Sequence, residues 1–441
     1  MQAAIKFTPF AYTEKQNIYV RGTYMKIHTV ARGESIRSVA EQYGVPESRI
    51  LFDNELDTSQ KLYPMQTLVI GEPTRTDTVR GGDTPERIAA RNDTDVLALL
   101  QNNPRLATAG LVPSQPLNIE YDKGGGQPIF VHAYSGTASD AALQKRLPLI
   151  SALSVQNAAL LQSGKLQLLD AASRIAALAR KFRAQPILCI EANDAYGRYD
   201  AGAVSQILSA PRQTERFIQS AMHAVKAGGF NGMELDFFPA PGGDGARLCE
   251  LTLALASLCE ESGLHLLLPW LPNLPQAPTV AESQMDTASL VPMQNYLYDD
   301  NKTASAAAPL DRMREALSKD FAVRYAKKLL LGIPTFGIDY TRAANGYRKR
   351  AVEADTHLRS LTPPPEIEFD EAAMAPRATY NENVHHAPTP HTLCFEDARA
   401  FAAKLELAKQ FGLCGVSVCS LGYDAPLFWQ VLNQTCTVAK C

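Results

Sequence analysis

A chain of 441 residues, 46% of them apolar, is too long for one ordinary core, so about two to four packed domains are expected. The net charge of −3 comes from acidic and basic residues mixed along the whole length, which leaves no basic stripe for nucleic acid and no polybasic segment for a membrane surface. No run is apolar for long enough to span a bilayer, and residues 1–17 lack a positive segment followed by an apolar one, so cytoplasmic synthesis without a signal peptide is expected.

Residues 1–24 match no pattern found later in the chain. "MKIHTV" begins at Met25, so Met1 and Met25 are both candidate starts. From there the sequence repeats itself: 27–70 and 76–119 superpose without a gap at an offset of 49 residues. Thr29-Val30 falls on Thr78-Val79, Gly33-Glu34-Ser35 on Gly82-Asp83-Thr84, Asn54 on Asn103, Pro64 on Pro113, and Gln66 on Gln115. Each unit reads as a short strand, a turn at glycine plus an acid, a helix capped by Ser35 or Thr84, a second helix, and a closing strand that pairs with the first.

These βααβ modules, 25–71 and 75–120, resemble the LysM domain, a small module that binds N-acetylglucosamine-containing glycans such as peptidoglycan and chitin. The resemblance implies a shallow sugar groove in each copy. One would be formed by Gly33, Glu34, Ser35 and Ile36 with Leu62, Tyr63 and Pro64. The other would be formed by Gly82, Asp83, Thr84 and Pro85 with Leu111, Val112 and Pro113. Met65 stands where the family commonly has glycine.

Residues 121–128, "YDKGGGQP", read as a linker. Beyond it, eight short apolar runs alternate with helical segments from 129 to 435: "IFVHAYS", "LPLISALSV", "PILCIEA", "GMELDFF", "LHLLLPWL", "SLVPMQNYL", "KLLLGIPTF" and "GVSVCSLG". The count and alternation predict an α/β fold, a (β/α)8 TIM barrel behind the two modules. The proline-rich segment 340–391 has no clear period and is read as an insertion between the seventh and eighth strands. Eight cysteines (Cys189, Cys249, Cys259, Cys394, Cys414, Cys419, Cys436, Cys441) sit in apolar segments without close-paired spacing, and are read as buried thiols.

Working residues of such barrels lie at the carboxyl ends of the strands. Alternation on the fourth strand puts Glu234, Asp236 and Phe238 on one side, climbing toward the mouth. His132, His223, His385, His386 and His391 show no metal-ligand spacing, and "NVHHAPTPH" reads as a loop, so no metal and no cofactor are expected.

With its module pair, the barrel resembles family-18 glycoside hydrolases of the spore-cortex-lytic type, most specifically over 227–238, 327–341 and 391–422. The resemblance implies a mechanism in which a glutamate closing a DxxDxDxE motif protonates the glycosidic oxygen. The sugar's own 2-acetamido group attacks, oriented by the preceding aspartate. Here Asn231, Glu234 and Asp236 occupy the first three motif positions and Phe238 the acid position. On the sixth strand Met293 is kept, but Asn295 and Tyr296 stand where the family has Tyr and Asp. Cys419 stands where a Trp often closes the eighth strand.

Glu234 lies four residues below the rim, about 13 Å at about 3.3 Å per residue, too deep to replace the acid. Glu191, ending the third strand near Asp194, Tyr196 and Tyr199, is a weak substitute. With Tyr134 these residues outline the cleft, which Phe237 and Phe238 are large enough to fill. The expectation is a peptidoglycan-binding protein of the spore or cell envelope whose barrel binds sugar without cutting it. The alternatives are an active N-acetylglucosaminidase that uses Glu191 or a substrate group as proton donor, and a protein-binding scaffold.

Overall fold

The computed structural model describes the backbone of residues 10–13 and 17–20, and residues 25–161, 164–193, 200–237, 243–272, 282, 285–294, 303–343, 345–384 and 387–440. Among the described residues, eight parallel strands form one sheet: Phe130–Tyr134 (β1), Ala152–Val155 (β2), Gln185–Glu191 (β3), Gly232–Asp236 (β4), His265–Leu267 (β5), Val291–Pro292 (β6), Leu329–Pro334 (β7) and Gly415–Cys419 (β8). Their order is β5-β4-β3-β2-β1-β8-β7-β6, and backbone bridges Leu267–Leu290 and Trp270–Met293 join its two ends into a barrel.

These strands are apolar along nearly their whole length because both faces are covered, one by the barrel interior and one by helices. Neighbouring strands approach closely where glycine opens them. A Cβ on Gly232 would lie 2.2 Å from the His265 carbonyl oxygen, and one on Gly415 would lie 1.8 Å from that of Phe130. The helix Pro211–Gly228 that feeds β4 stops at Gly229, whose φ of 69° makes a left-handed C-cap.

The two modules are βααβ units. In the first, strands Lys26–Thr29 and Thr67–Ile70 pair antiparallel around helices Ile36–Tyr43 and Glu47–Asp53. In the second, Pro73–Thr78 and Pro116–Tyr121 enclose Pro85–Arg91 and Val96–Asn102. Ser35 accepts from the Ser38 amide and Thr84 from that of Arg87, which are N-cap bonds at equivalent positions. The backbone of Phe10–Thr13 and Asn17–Val20 forms a hairpin that extends the first module's sheet.

The stretch between β7 and β8, read from the sequence as an insertion without a period, has regular structure. It is a five-stranded antiparallel sheet spanning 337–394, in the order Gly346–Val352, Gly337–Ala343, Ala387–Cys394, Ala375–Val384, Glu366–Asp370, with the helix Ala354–Ser360 packed beside it. Pro388 and Pro390 hid a strand. Of the strand Ala387–Cys394 only residues 391–394 pair with Gly337–Ala343, so 387–390 are an edge on that side, where a sheet tolerates proline.

The modules are bonded to the barrel body. Met25, Ile27 and Val69 of the first module belong to the same apolar cluster as the barrel core. Glu55 takes two bonds from the buried guanidinium of Arg146, at 2.7 and 3.1 Å, and Arg146 also reaches Asp424 at 2.7 Å. Asn433 donates to Asn102 at 2.9 Å, and Gln101 to the Pro148 carbonyl at 2.9 Å.

Candidate active site and glycan grooves

The barrel interior holds a polar network built from single polar residues in otherwise apolar strands. Glu234 on β4 is fully buried and accepts from the Tyr134 hydroxyl at 2.5 Å and from the Ser154 hydroxyl. His132 bridges Ser417 and Ser154, each at 2.8 Å, and its Nε2 lies 3.5 Å from the Glu234 carboxylate. Gln294 donates to the Tyr134 hydroxyl oxygen at 3.0 Å. Each buried polar group thereby gains a partner, without which its burial would be strongly unfavourable.

Asp236 is the next inward residue of β4, half-buried and hydrogen-bonded to Gln294. Burial, and then the neighbouring Glu234 and Glu191, push its carboxyl up from 3.8 to about 8, so near neutrality it holds a proton. Glu191 stands in register with Asp236 across β3 and β4, a step below the rim. Gln156 donates to Glu191 at 2.7 Å, and burial raises its carboxyl as well. Cys189 pairs in register with Glu234, and burial pushes its thiol far up.

Phe237 points the other way. Its ring is fully buried 5.4 Å from that of Phe217 in the helix layer, so it does not fill the cleft: alternation sends residue 237 outward when 236 faces inward. Met293 is buried, with its amide bonded to the Leu330 carbonyl at 2.8 Å. Cys419, half-buried at the end of β8, packs near Phe336 and Tyr340. Phe238, Asn295, Tyr296, Asp194, Tyr196, Tyr199, His385 and His386 lie outside the described residues.

Sequence reasoning missed His132, Ser154, Gln156, Gln294 and Ser417 as parts of this network. The available signal was a lone polar residue inside an apolar strand, as in "IFVHAY", "ALSV" and "GVSVC". His391 is not in a loop: it sits on the strand Ala387–Cys394, with Nδ1 2.9 Å from Asp339. Among the described residues no three His, Cys, Asp or Glu side chains converge on a metal-sized site, and no helix is long and apolar enough to cross a membrane.

The predicted groove residues fall on two equivalent turns. Glu34 accepts from the Ala31 amide at 2.7 Å and lies 3.0 Å from the buried His28. Asp83 accepts from the Arg80 amide at 2.8 Å and from Arg91 at 2.7 Å. Both acids therefore tie down the loop after the first strand. Gly33 and Gly82 adopt φ of 91° and 79°, and Met65 and Ser114 adopt 68° and 69°, so methionine keeps the left-handed turn at the family's glycine position. Ser35, Gly33, Gly82 and Thr84 are exposed, whereas Ile36, Pro85, Leu62 and Leu111 are half-buried. Tyr63 departs from the groove reading: it is buried against the inserted sheet, because its ring and hydroxyl find partners there.

Comparison with known proteins agrees with this architecture. The family model described as glycosyl hydrolases family 18 matches residues 138–424, and the LysM domain model matches 28–71 and 78–120. The cortical fragment-lytic enzyme of Bacillus subtilis (strain 168) is 30% identical over 144 residues, which span 31% of this chain and 31% of that protein. The crystal structure of the Bacillus cereus spore cortex-lytic enzyme SleL superposes with a TM-score of 0.73 at 22% identity, covering 94% of this chain and 99% of that one. A chitinase from Chromobacterium violaceum ATCC 12472 superposes with a TM-score of 0.62 at 20% identity, over 70% of this chain and 98% of that one. The chain belongs to glycosyl hydrolase family 18 and carries two LysM domains ahead of its barrel.

Proposed function

We propose that this protein binds peptidoglycan or a related N-acetylglucosamine-containing glycan at a spore or cell envelope, and that its barrel holds an N-acetyl sugar without hydrolysing it. The observation that carries this reading is the phenylalanine at 238. In the sequence it stands two residues beyond Asp236, at the motif position where the family resemblance implies a proton donor, and a phenyl ring has no proton to give. Losing a general acid costs on the order of 10²–10⁴ in rate. The loss of the Tyr-Asp pair at 295 and 296 removes further transition-state hydrogen bonds.

What remains suits binding. Asp236, protonated near neutrality, can donate to an acetamide carbonyl oxygen, and Tyr134 and Gln294 stand beside it. Glu191 supports the alternative of slow hydrolysis, since it too is a carboxyl with a raised pKa. Phe238→Glu and Glu191→Gln, assayed beside the parent for release of muropeptides from cortex-type peptidoglycan, separate these readings. We expect a silent parent and turnover in Phe238→Glu alone. Brisk release by the parent that is lost in Glu191→Gln would establish the hydrolase instead.

A further inference from the structure

Two equivalent positions, 49 residues apart in the repeat, meet opposite surroundings. Tyr63 is 8% exposed and Val112 is 58% exposed. The turns that carry them are otherwise the same. Tyr63 and Val112 each donate their amide to a glutamine side chain, Gln66 or Gln115, at 3.2 Å. Met65 and Ser114 each donate theirs to the first strand's end, at Val30 (2.8 Å) and Val79 (2.9 Å). The difference lies in what packs on them.

The Tyr63 hydroxyl donates to Asp355 Oδ1 at 2.9 Å, and its ring clusters with Leu358, Ala378, Leu393 and Phe395 of the inserted sheet and helix. Arg359, on the same helix, lies 5.5 Å from the Tyr63 ring centre and donates to the Lys61 carbonyl at 2.7 Å. Pro64 is half-buried beside this contact, while its counterpart Pro113 is exposed. A sugar chain laid along Leu62–Pro64 would have to displace the helix Ala354–Ser360. That would break the Tyr63–Asp355 hydrogen bond and expose the apolar cluster beneath it.

We infer that the two LysM modules have divided their work: the first has given up one wall of its groove to form a joint with the barrel's insertion, and the second is the module that takes the glycan. This inference rests on the glycan-binding reading above. It adds that, of the two modules, only the second recognises glycan, at the Gly82–Pro85 and Leu111–Pro113 walls, where exposed Val112 offers an apolar surface to a sugar face or an acetamide methyl.

The test uses the full-length chain and insoluble peptidoglycan, with affinity read from depletion of the soluble protein. Val112→Asp and Pro113→Asp change exposed loop residues and are expected to weaken binding tenfold or more at an unchanged unfolding midpoint. Asp355→Ala, which loosens the joint, is expected to lower the midpoint while binding stays within twofold of the parent. If the parent binds and both groove-two variants bind equally well, or if Asp355→Ala changes affinity tenfold, the division of work is wrong and the glycan reading survives. A parent that leaves peptidoglycan untouched overturns both.

Discussion

Asp236 sits between two other carboxyls, Glu234 below it on its own strand and Glu191 beside it on the next. Its carboxyl is raised from 3.8 in the unfolded chain to about 8 in the fold, which fixes the sign of its contribution to stability. Below about pH 4 both states hold the proton and its stabilising contribution is complete. Between about 4 and 8 the unfolded chain releases the proton while the fold retains it, so stability falls as pH rises. Asp236→Asn does not titrate, and should therefore gain on the parent by about 4 kcal/mol between pH 5 and pH 9, read from urea midpoints. A difference that does not change with pH would show that Asp236 is already ionised. Glu234 and Asp236 were legible in the sequence because strand alternation selects them. Their partners were not, since Ser154 and Gln294 join the network from 80 residues before Glu234 and 160 residues after Tyr134, respectively.

At the level of the element, repetition made the modules readable. Asn54 and Asn103 show what the repeat preserves. Asn103 Nδ2 donates to the Leu99 carbonyl at 2.9 Å and to the Asn118 carbonyl at 2.7 Å, and its Oδ1 accepts from the Asn118 amide at 2.9 Å, stapling the second helix to the closing strand. Asn54 repeats this with Ile50 and Val69. Asn103→Ala leaves all three backbone groups without that partner in a buried place, and should cost about 2–3 kcal/mol in urea unfolding. A loss well under 1 kcal/mol would mean that water replaces the staple. The inserted sheet had no repeat to read: Gly346–Val352 carries exposed residues on both faces, and the prolines of the segment resemble loop signals. The joint between Tyr63 and Asp355 spans 292 residues, and no local pattern encodes it.

The whole molecule departs from a picture of binding modules on a flexible tether. Residues 121–128 look like a linker in sequence, yet the first module shares apolar core with the barrel through Met25, Ile27 and Val69, and Arg146 and Asn433 bond the two modules to the barrel's helices. Such an interface couples their unfolding. Ile50 offers a clean probe: it is 1% exposed within the first module's own cluster of Val30, Val39, Leu56, Leu68 and Ile70, apart from the barrel core. Ile50→Ala should cost about 2–4 kcal/mol. Both tryptophans are buried in the barrel region, Trp270 away from the modules and Trp429 on the helix Pro426–Thr435 that also meets the first module, so tryptophan fluorescence follows the barrel and that joint. If the modules and barrel unfold together, Ile50→Ala lowers the denaturant midpoint seen by those tryptophans, although neither belongs to the cluster that was cut. An unchanged tryptophan midpoint, with a separate earlier loss of module structure by circular dichroism, would show that the first module unfolds by itself and that its buried contacts with the barrel contribute little.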